Sequence, residues 1–587
     1  MFGKTARYSF VFFSVLGLLS ASCVRIVAKS DLSLGPGDAR WVSKTLGRMS
    51  IEEKIGQMIA CRYTGGFFND DSDYIAGLRS LVVDQKIGGV VIFLGESYET
   101  AHLNNALQKL AKYPLLVASD FERGAGNQIT GATLFPTLMA LGAADSDELA
   151  YKMGKITAEE GRALGIHMTY APVVDVNINP DNPIINTRAI GEDPVQVGRL
   201  AAAFIKGCQE NGMIATAKHF PGHGDTDQDS HSLLPTIKAD RDRLEKVELY
   251  PYQMALAAGV QAVMVAHLSV PALDPTPNLP SSLSPAILTG LLRKRMGFKG
   301  LIVTDAMEMG GVTNAYPGPE ASLRAILAGV DMVLLPPEPA KTVSFLIDAA
   351  KTGRLTEARI DESVRRILEA KARLGLHLNR FVDVEALPQK LGTKENSRQA
   401  LLAFEAAATL VKNEREALPI PSTGKKIAVF SLSSDQGDYF AGRAFADAVK
   451  KRSEGTQVFY ADAVTGKEAL DDAYFKAVKS ADVIVCAVFS SLRARKGSVG
   501  IEPSHADLIK TLAAAGKSVI VVNFGSPYIL RDFPEVDACL CLYRNSPQSQ
   551  AIAARAVFGE MDIKGRLPVS IPGLFPRGQG IELKKIK

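Results

Sequence analysis

The feature that most constrains the fold is a regular alternation of apolar, β-rich runs with helix-patterned stretches. Seven such runs follow a segment at residues 31–60 that is predicted to be helical. Runs that are apolar on both faces and alternate with helices indicate a parallel sheet covered on both sides. An open sheet rarely needs so many units, so the pattern predicts a (β/α)8-type TIM barrel over residues 38–378. The runs begin at Ile87, Pro114, Met168, Met213, Ala262, Leu301 and Val330.

A second α/β unit follows the barrel pattern. The polar segment 379–400 breaks the alternation and is predicted to be a linker. Five further strand-like runs within residues 401–587 have the spacing of a flavodoxin-like, doubly wound α/β sandwich domain. No glycine-rich fingerprint follows the first of these runs, so a bound nucleotide is not expected in this domain. No cofactor is predicted for the chain.

The N-terminus has the pattern of a secretory signal peptide over residues 1–22. Lys4 and Arg7 precede an apolar run from Phe10 to Leu19, and small residues follow before Cys23. The run is shorter than the roughly 20 residues that a membrane span requires. Cys23 after Ser-Ala-Ser also resembles a bacterial lipoprotein cleavage site, although Ser20 occupies the usual leucine position. The sequence therefore predicts export to the periplasm or cell envelope, with membrane attachment through a lipidated Cys23 as an alternative to a soluble form.

Charge and cysteine content exclude several classes of function. Loss of residues 1–22 removes two of the 67 cations and none of the 63 anions, which leaves a net charge of +2. A chain so nearly neutral, without a basic run, is not expected to bind nucleic acid. The six cysteines show neither a disulfide framework nor a zinc ligand set, and those in apolar surroundings are predicted to be buried free thiols.

Polar residues recur at the carboxyl ends of the predicted barrel strands. In a TIM barrel the active site forms at this end, from residues that several strands contribute. Any one of these residues could be a helix cap or a satisfied polar group in the core, but the group as a whole indicates a site. Its members are Asp120, Asp175, Lys218, His219, His267 and Asp305.

The segment "KHFPGHGDTDQDSHSLLP", residues 218–235, concentrates three of the eight histidines in the chain. Asp225, Asp227 and Asp229 have the spacing of a calcium loop, but Ser230 and Thr236 stand where that loop needs Gly and Glu. Pro221, Gly222 and Gly224 prevent the helix on which His219 and His223 could share a zinc ion. Phosphate binding by a glycine loop would need a helix directly afterwards. Metal and phosphate sites are therefore both disfavoured.

Proton transfer is the remaining interpretation of this loop. In an extended segment, residues two apart project to the same side, so Asp229 and His231 are expected to touch. A carboxylate on one imidazole nitrogen fixes the tautomer and orients the other nitrogen toward a substrate. An imidazole also titrates near neutral pH, where an acid/base catalyst is most useful.

The loop resembles the signature of the β-N-acetylglucosaminidase branch of glycoside hydrolase family 3. The similarity continues through "APVVDVNINPDNPIINTRAIGEDP", "AVMVAHLSVPALD", "LIVTDAMEMGGV" and "GRLPVSIPG", and so spans both domains. β-Glucosidase relatives in this family lack the His-Asp loop. The resemblance implies that Asp305 is the nucleophile, His231 the general acid/base and Asp229 its partner. It further implies that the sugar hydroxyls are held by Asp120, Arg188, Lys218 and His219.

The chain departs from the family pattern at two positions. The usual Asp-x-Glu-Gly-Gly is "DFERG" here, with Arg123 at the first glycine. Gln128 occupies the position of a binding arginine that many relatives carry. Both positions concern the outer part of the substrate site.

The resemblance implies a metal-free, retaining exo-β-N-acetylglucosaminidase that removes terminal N-acetylglucosamine (GlcNAc) from peptidoglycan fragments or chitooligosaccharides. A β-glucosidase or β-xylosidase of the same family is the main alternative. Phosphorolysis is another, because a neutral imidazole would not repel phosphate as a carboxylate would. A catalytically dead wall-binding lipoprotein is disfavoured, since Asp305 and His231 are both present.

Overall fold

The computed structural model describes residues 32–316, 318–421, 424–438, 440–490 and 500–586. The predicted signal peptide and Cys23 lie outside these residues. No helix in the described ranges is both long and apolar enough to cross a membrane. The five cysteines within them are buried and unpaired, which confirms the prediction of free thiols.

The N-terminal part is a parallel eight-stranded barrel, as the strand pattern predicted. Neighbouring strands pair in parallel register, and the last strand, β9 (Val333–Leu334), pairs with the first, β1 (Ile59–Gly65). Backbone hydrogen bonds from Thr304 to Met332 and from Met332 to Ile302 join β8 (Leu301–Thr304) to the segment leading into β9. The barrel strands are β1 (Ile59–Gly65), β2 (Gly89–Glu96), β3 (Leu116–Ser119), β5 (Met168–Thr169), β6 (Ile214–Phe220), β7 (Ala262–Val265), β8 (Leu301–Thr304) and β9 (Val333–Leu334), with a short β4 (Ile129–Thr130) paired to β2.

Helices follow the barrel strands and cover the outside of the sheet. Their starts are set by ordinary capping: Ser50 and Glu53 form a capping box, and Asp193 caps the helix that begins at Pro194. The helices are α1 (Pro36–Leu46), α2 (Ile51–Gln57), α3 (Asp73–Val83), α4 (Ser97–Leu110), α5 (Leu138–Ala144), α6 (Asp147–Ala163), α7 (Pro194–Glu210), α8 (Arg241–Lys246), α9 (Tyr250–Ala257), α10 (Gly310–Thr313), α11 (Pro319–Ala328), α12 (Pro339–Lys351) and α13 (Glu357–Arg373), with a π-helical segment at Ala286–Arg295.

Two strand predictions differ from the structure. The segment 31–60 is predicted to be helical, but its last two residues, Ile59 and Ala60, begin β1. The sequence pattern does not show this boundary, because the two residues continue the apolar pattern of α2 without an intervening glycine or proline. The run from Met168 to Asn177 forms only the two-residue β5. Pro172 lacks the amide that the ladder needs, and the chain leaves the sheet before returning as a single bridge from Val173 to Lys218.

The second part is a six-stranded sheet whose five parallel strands have the flavodoxin-like order 2-1-3-4-5. The antiparallel edge strand β10 (Thr409–Asn413) was not recognised in the sequence, because the five-residue run is short and its last residues are polar. The strands are β10 (Thr409–Asn413), β11 (Ile427–Ser433), β12 (Gln457–Ala461), β13 (Val483–Phe489), β14 (Ser518–Asn523) and β15 (Ala538–Cys541). The helices are α15 (Lys394–Ala407), α16 (Arg443–Lys450), α17 (Lys467–Ser480), α18 (Pro503–Ala514) and α19 (Pro547–Val557). The short α14 (Leu387–Lys390) precedes them and packs against α6 of the barrel.

The second domain contacts the loop that follows β5. Asn177 donates to the Tyr528 hydroxyl at 2.9 Å, and Ser570 donates its hydroxyl to Glu192 at 2.6 Å. Arg531 forms an ion pair with Asp181 at 2.6 Å. Through these contacts the second domain holds in place the loop that carries Arg188 at the open end of the barrel.

Candidate active site

A cavity of about 310 Å³ opens at the carboxyl ends of the barrel strands. Six of the seven predicted site residues line it, and the seventh, Asp229, contacts one of the six, His231. The structure therefore brings together residues that lie up to 185 positions apart in the sequence, from Asp120 to Asp305. The lining residues are Arg62, Phe93, Asp120, Glu122, Ile184, Arg188, Lys218, His219, His223, Ser230, His231, Asp305, Ala306, Glu308 and Met309.

Asp305 directly follows β8 and is held by the barrel backbone. Its amide donates to the Val265 carbonyl at 2.9 Å, and its carboxylate accepts from the Ala306 amide at 2.8 Å. Burial alone would raise the pKa of this carboxyl, but His219, His267, Lys218 and the Ala306 amide lower it to about 2. Asp305 is therefore ionised at neutral pH.

His267 fixes the backbone beside Asp305. Its Nε2 lies 3.1 Å from the Ala306 carbonyl oxygen, and its Nδ1 lies 2.8 Å from the Ser282 hydroxyl. A carbonyl only accepts, so Nε2 carries the proton and Nδ1 accepts from Ser282. Burial lowers the pKa of His267, which favours this neutral form.

Lys218 and Arg188 form a compact ionic group with two carboxylates. The Lys218 ammonium lies 2.6 Å from Asp120 and 2.8 Å from Glu122, and its side chain is 2% exposed. Arg188 donates to both oxygens of Glu122, at 2.7 and 3.0 Å. Burial would raise the pKa of Glu122, but Arg188 and Lys218 hold it well below its usual range. These charges are paired at fixed positions before any ligand binds.

Asp175 organises the start of the loop. Its carboxylate has no exposed surface and lies 2.8 Å from Nδ1 of His219. It also accepts from the backbone amide of His223 at 2.7 Å. Burial would raise the pKa of Asp175, but His219 and His223 lower it. We call Asp120, Glu122, Asp175, Arg188, Lys218 and His219 the strand-end cluster.

Asp229 and His231 form a second unit, the loop dyad. Nδ1 of His231 lies 2.7 Å from Oδ1 of Asp229, and the same oxygen accepts from the His231 amide at 2.8 Å. The predicted contact is present, but the expected extended segment is wrong. The amides of Ser232 and Leu233 both donate to the Asp229 carbonyl, so the dyad is built across a tight turn.

The turn leaves one nitrogen of His231 available. Because a carboxylate only accepts, Nδ1 of His231 carries a proton and donates to Asp229. Among the described residues, Nε2 has no hydrogen-bond partner, and the side chain is 31% exposed at the cavity. The arrangement can hold a proton at Nε2 or accept one there.

His223 braces the loop instead of joining the dyad. Its ring nitrogens lie 3.0 Å from the Thr226 hydroxyl and 2.9 Å from the Ser230 hydroxyl. Burial lowers the pKa of His223 to about 4, so both bonds are made by the neutral ring. Gly224 lets the loop pass close to the barrel, since a Cβ there would lie 1.8 Å from the Val176 carbonyl oxygen.

The second half of the loop docks on the segment after Asp305. The amide of Gly310 donates to the His231 carbonyl at 3.0 Å, and the amide of Gly311 donates to the Ser230 carbonyl at 3.1 Å. A Cβ on Gly310 would lie 2.6 Å from the Ser232 carbonyl oxygen. The backbone that follows the predicted nucleophile therefore positions the dyad.

Sequence reasoning missed three charged residues of the cavity. Glu122 follows Asp120 by two residues, and this spacing after a strand was the available signal. Arg62 lies on β1, a barrel strand that the sequence pattern did not reveal, and it pairs with Glu308. In the described part of the chain, no three His, Cys, Asp or Glu side chains converge in a way that could ligate a metal ion.

Comparison with known proteins gives consistent results for both domains. Residues 50–370 match the family described as "Glycosyl hydrolase family 3 N terminal domain", and residues 408–576 match "Glycosyl hydrolase family 3 C-terminal domain". A "Beta-N-acetylglucosaminidase/beta-glucosidase" of Cellulomonas fimi is 30% identical, over 92% of this chain and 97% of that protein.

Two solved structures share the architecture. A glycoside hydrolase family 3 β-N-acetylglucosaminidase from Paenibacillus sp. str. FPU-7 superimposes with a TM-score of 0.78 at 31% identity, covering 89% of this chain and 99% of that one. The β-glucoside phosphorylase BglX superimposes with a TM-score of 0.83 at 27% identity, covering 92% and 97%. With both family domains matched in order along the chain and both folds present, the protein belongs to glycosyl hydrolase family 3.

Proposed function

We propose that the protein is a retaining exo-β-N-acetylglucosaminidase that removes terminal GlcNAc from peptidoglycan fragments or chitooligosaccharides. One observation carries the proposal: an ionised carboxylate, Asp305, and a histidine oriented by a carboxylate, His231, line the same cavity. At about 310 Å³ the cavity is at the small end of ligand sites, which suits one sugar residue better than a chain. The relatives named as β-N-acetylglucosaminidases support the choice of sugar.

In the first step, Asp305 attacks the anomeric carbon while the bond to the leaving oxygen breaks. Protonated His231 gives the proton on Nε2 to that oxygen, so the aglycone leaves as a neutral alcohol. The products are a glycosyl ester on Asp305 and a neutral imidazole. Asp229 stabilises the imidazolium before this transfer and keeps Nε2 aimed at the cavity.

In the second step, neutral His231 accepts a proton from water as the water oxygen attacks the anomeric carbon. The ester bond breaks and the Asp305 carboxylate is restored. Two inversions give net retention of configuration. The lowered pKa of Asp305 helps here, because a stable carboxylate is a good leaving group.

The strand-end cluster is proposed to hold the sugar hydroxyls. Asp120, Lys218, Arg188 and His219 present donors and acceptors whose positions are already set by ion pairs. A site organised in this way loses little entropy when the sugar binds.

Phosphorolysis is a second candidate, favoured by the structural similarity to a β-glucoside phosphorylase. The imidazole of His231 is neutral after the first step and would not repel an approaching phosphate. Phosphate in place of water would give GlcNAc 1-phosphate from the same ester. The Cellulomonas fimi relative is named both a β-N-acetylglucosaminidase and a β-glucosidase, so glucosides should be tested as substrates as well.

A panel of aryl β-glycosides with GlcNAc, glucose or xylose, each assayed with and without inorganic phosphate, tests the proposal. We expect the GlcNAc substrate to exceed the others in kcat/KM by at least about tenfold. We also expect the first-formed sugar to have the β configuration by NMR. A preference for glucoside or xyloside, or an α product, would reject the proposal, and phosphate-dependent GlcNAc 1-phosphate would establish phosphorolysis.

We also propose that the protein is exported, on the N-terminal pattern alone. Lys4, Arg7 and the apolar run support a cleaved signal, and Cys23 supports lipid attachment. N-terminal analysis and mass spectrometry of the protein from its host test both parts. A mature protein that begins at Met1 would reject export, and an unmodified mature protein would reject only lipidation.

A further inference from the structure

A second cavity, of about 240 Å³, adjoins the active site. Glu122 and Arg188 line both cavities, so the ionic group that they form is the shared wall. The remaining lining comes from the segment after β3, the loop that carries Arg188, and Arg544 of the second domain. The cavity therefore lies where the two domains meet, on the side of the residues proposed to hold the sugar hydroxyls.

The charge within this cavity is unbalanced. Arg123 and Arg544 are both partly buried, and no carboxylate in the described ranges pairs with either guanidinium. Glu122 is the one acid in the lining, and both of its oxygens are bound by Arg188. Burial lowers the pKa of Arg123 to about 9, with the nearby charge of Arg544 adding to the effect. Burial likewise lowers the pKa of Arg544.

Two unpaired cations in one partly buried space are costly unless an anion joins them. Paired arginines bind carboxylate, sulfate and phosphate groups through parallel N–H donors. Arg123 also stands where the family pattern has a glycine, so the side chain that creates half of this charge is a feature of this chain.

We propose that Arg123 and Arg544 together bind one oxyanion, of the phosphate, sulfate or carboxylate class, in the cavity between the two domains. The site lies beyond Glu122 and Arg188, and neither Asp305 nor His231 lines it. The bound anion is therefore not the group that attacks the glycosyl ester. It is either a free anion or an acidic substituent on the terminal sugar, and only the second source rests on the proposed function.

Thermal unfolding of the mature full-length protein in sulfate, against chloride at equal ionic strength, tests the site without any assay of activity. Arg123→Gln and Arg544→Gln each remove one guanidinium. Arg531→Gln is the matched control, because it removes an arginine of the same interface that already pairs with Asp181. We expect sulfate to raise the Tm of the wild type and of Arg531→Gln, with the rise lost in the other two variants.

An equal rise in all four proteins, or none in the wild type, would overturn the proposal. Inhibition by GlcNAc and by GlcNAc 6-sulfate then separates the two sources. Tighter binding of the sulfated sugar that disappears in Arg544→Gln assigns the anion to the substrate, whereas equal inhibition by both sugars assigns it to a free ion. Failure of the protein to bind GlcNAc would reject the proposed function and leave the sulfate result standing.

Discussion

The strand-end cluster and the loop dyad both contribute side chains to one cavity but are built in opposite ways. In the cluster, Lys218 is 2% exposed and Asp175 is fully buried, and the charges are joined by short ion pairs. In the dyad, the His231 side chain is 31% exposed, one nitrogen has no hydrogen-bond partner among the described residues, and backbone hydrogen bonds to Gly310 and Gly311 hold the turn.

This difference matches what each region is proposed to do. Groups that hold hydroxyls work best when they are fixed in advance, because no reorganisation is needed on binding. A group that gives up and regains a proton must keep one nitrogen free and tolerate both charge states. Substitutions in the cluster should therefore affect stability and binding, whereas substitutions in the dyad should affect the chemical steps.

The largest effect is expected from Asp305→Asn, which removes the proposed nucleophile that both regions would serve. An amide cannot form the ester, so turnover should fall by about 10⁴-fold or more. Glu308→Gln is the control, because it removes a neighbouring carboxylate that is exposed, and its turnover should fall much less. A mechanism-based fluorosugar should label the peptide that contains Asp305, and labelling at another carboxylate would refute the assignment.

His231→Gly should slow substrates with poor leaving groups by about 10²–10⁴-fold and leave substrates with good ones much less affected. Good phenolates depart without protonation, so the slope of rate against leaving-group pKa should steepen. Asp229→Ala should give a milder form of the same pattern, since it removes only the orienting partner. The assignment of the acid/base role to the dyad is wrong if His231→Gly lowers the rates of all substrates equally, or if only His223→Ala steepens the slope.

Lys218→Met tests the cluster half of the comparison. The change leaves the Asp120 carboxylate without its buried partner, and breaking such a pair costs about 3–5 kcal/mol. We expect a lower Tm and weaker inhibition by GlcNAc, with no dependence on leaving-group acidity. His231→Gly should keep its Tm close to the wild type; an equal loss of stability in both variants would remove the distinction between the regions.

The smallest effect concerns His223, the brace between the regions. Its pKa is about 4 in the folded protein against 6.5 for an ordinary histidine, chiefly because of burial. Stability tied to the neutral ring is complete above pH 6.5 and is lost as the pH falls toward 4, because only the unfolded chain takes up the proton. The loss should be about 3 kcal/mol.

His223→Gln should therefore be less stable than the wild type at pH 7 and show a flatter decline between pH 6.5 and 4. Unfolding curves across this range measure the difference. His102→Gln, at an exposed position on α4, should keep the wild-type slope. If the stability of His223→Gln declined with falling pH as steeply as that of the wild type, neutral His223 would not be the group that stabilises the loop.

The periodicity of the sequence was sufficient to predict the fold, because most strands can be recognised in it as runs that are apolar on both faces. It failed at β1, where the end of a helix and the start of a strand share one apolar pattern, and with β1 it missed Arg62. Glu122 was overlooked for a different reason. A carboxylate in a polar segment after a strand looks like any solvated residue until Arg188, 66 positions later, is seen beside it.

The sequence by itself determined the two α/β units, the strand ends that carry Asp120, Lys218 and Asp305, and the proximity of Asp229 to His231, because these depend on local periodicity and short spacing. Only the tertiary structure decided that Glu122 is shared by Lys218 and Arg188, and that the dyad turn rests on Gly310. It alone showed that Arg544 of the second domain shares a cavity with Arg123. Ion pairs and backbone docking of this kind depend on which strands become neighbours when the barrel closes, and residue spacing along the chain does not carry that information.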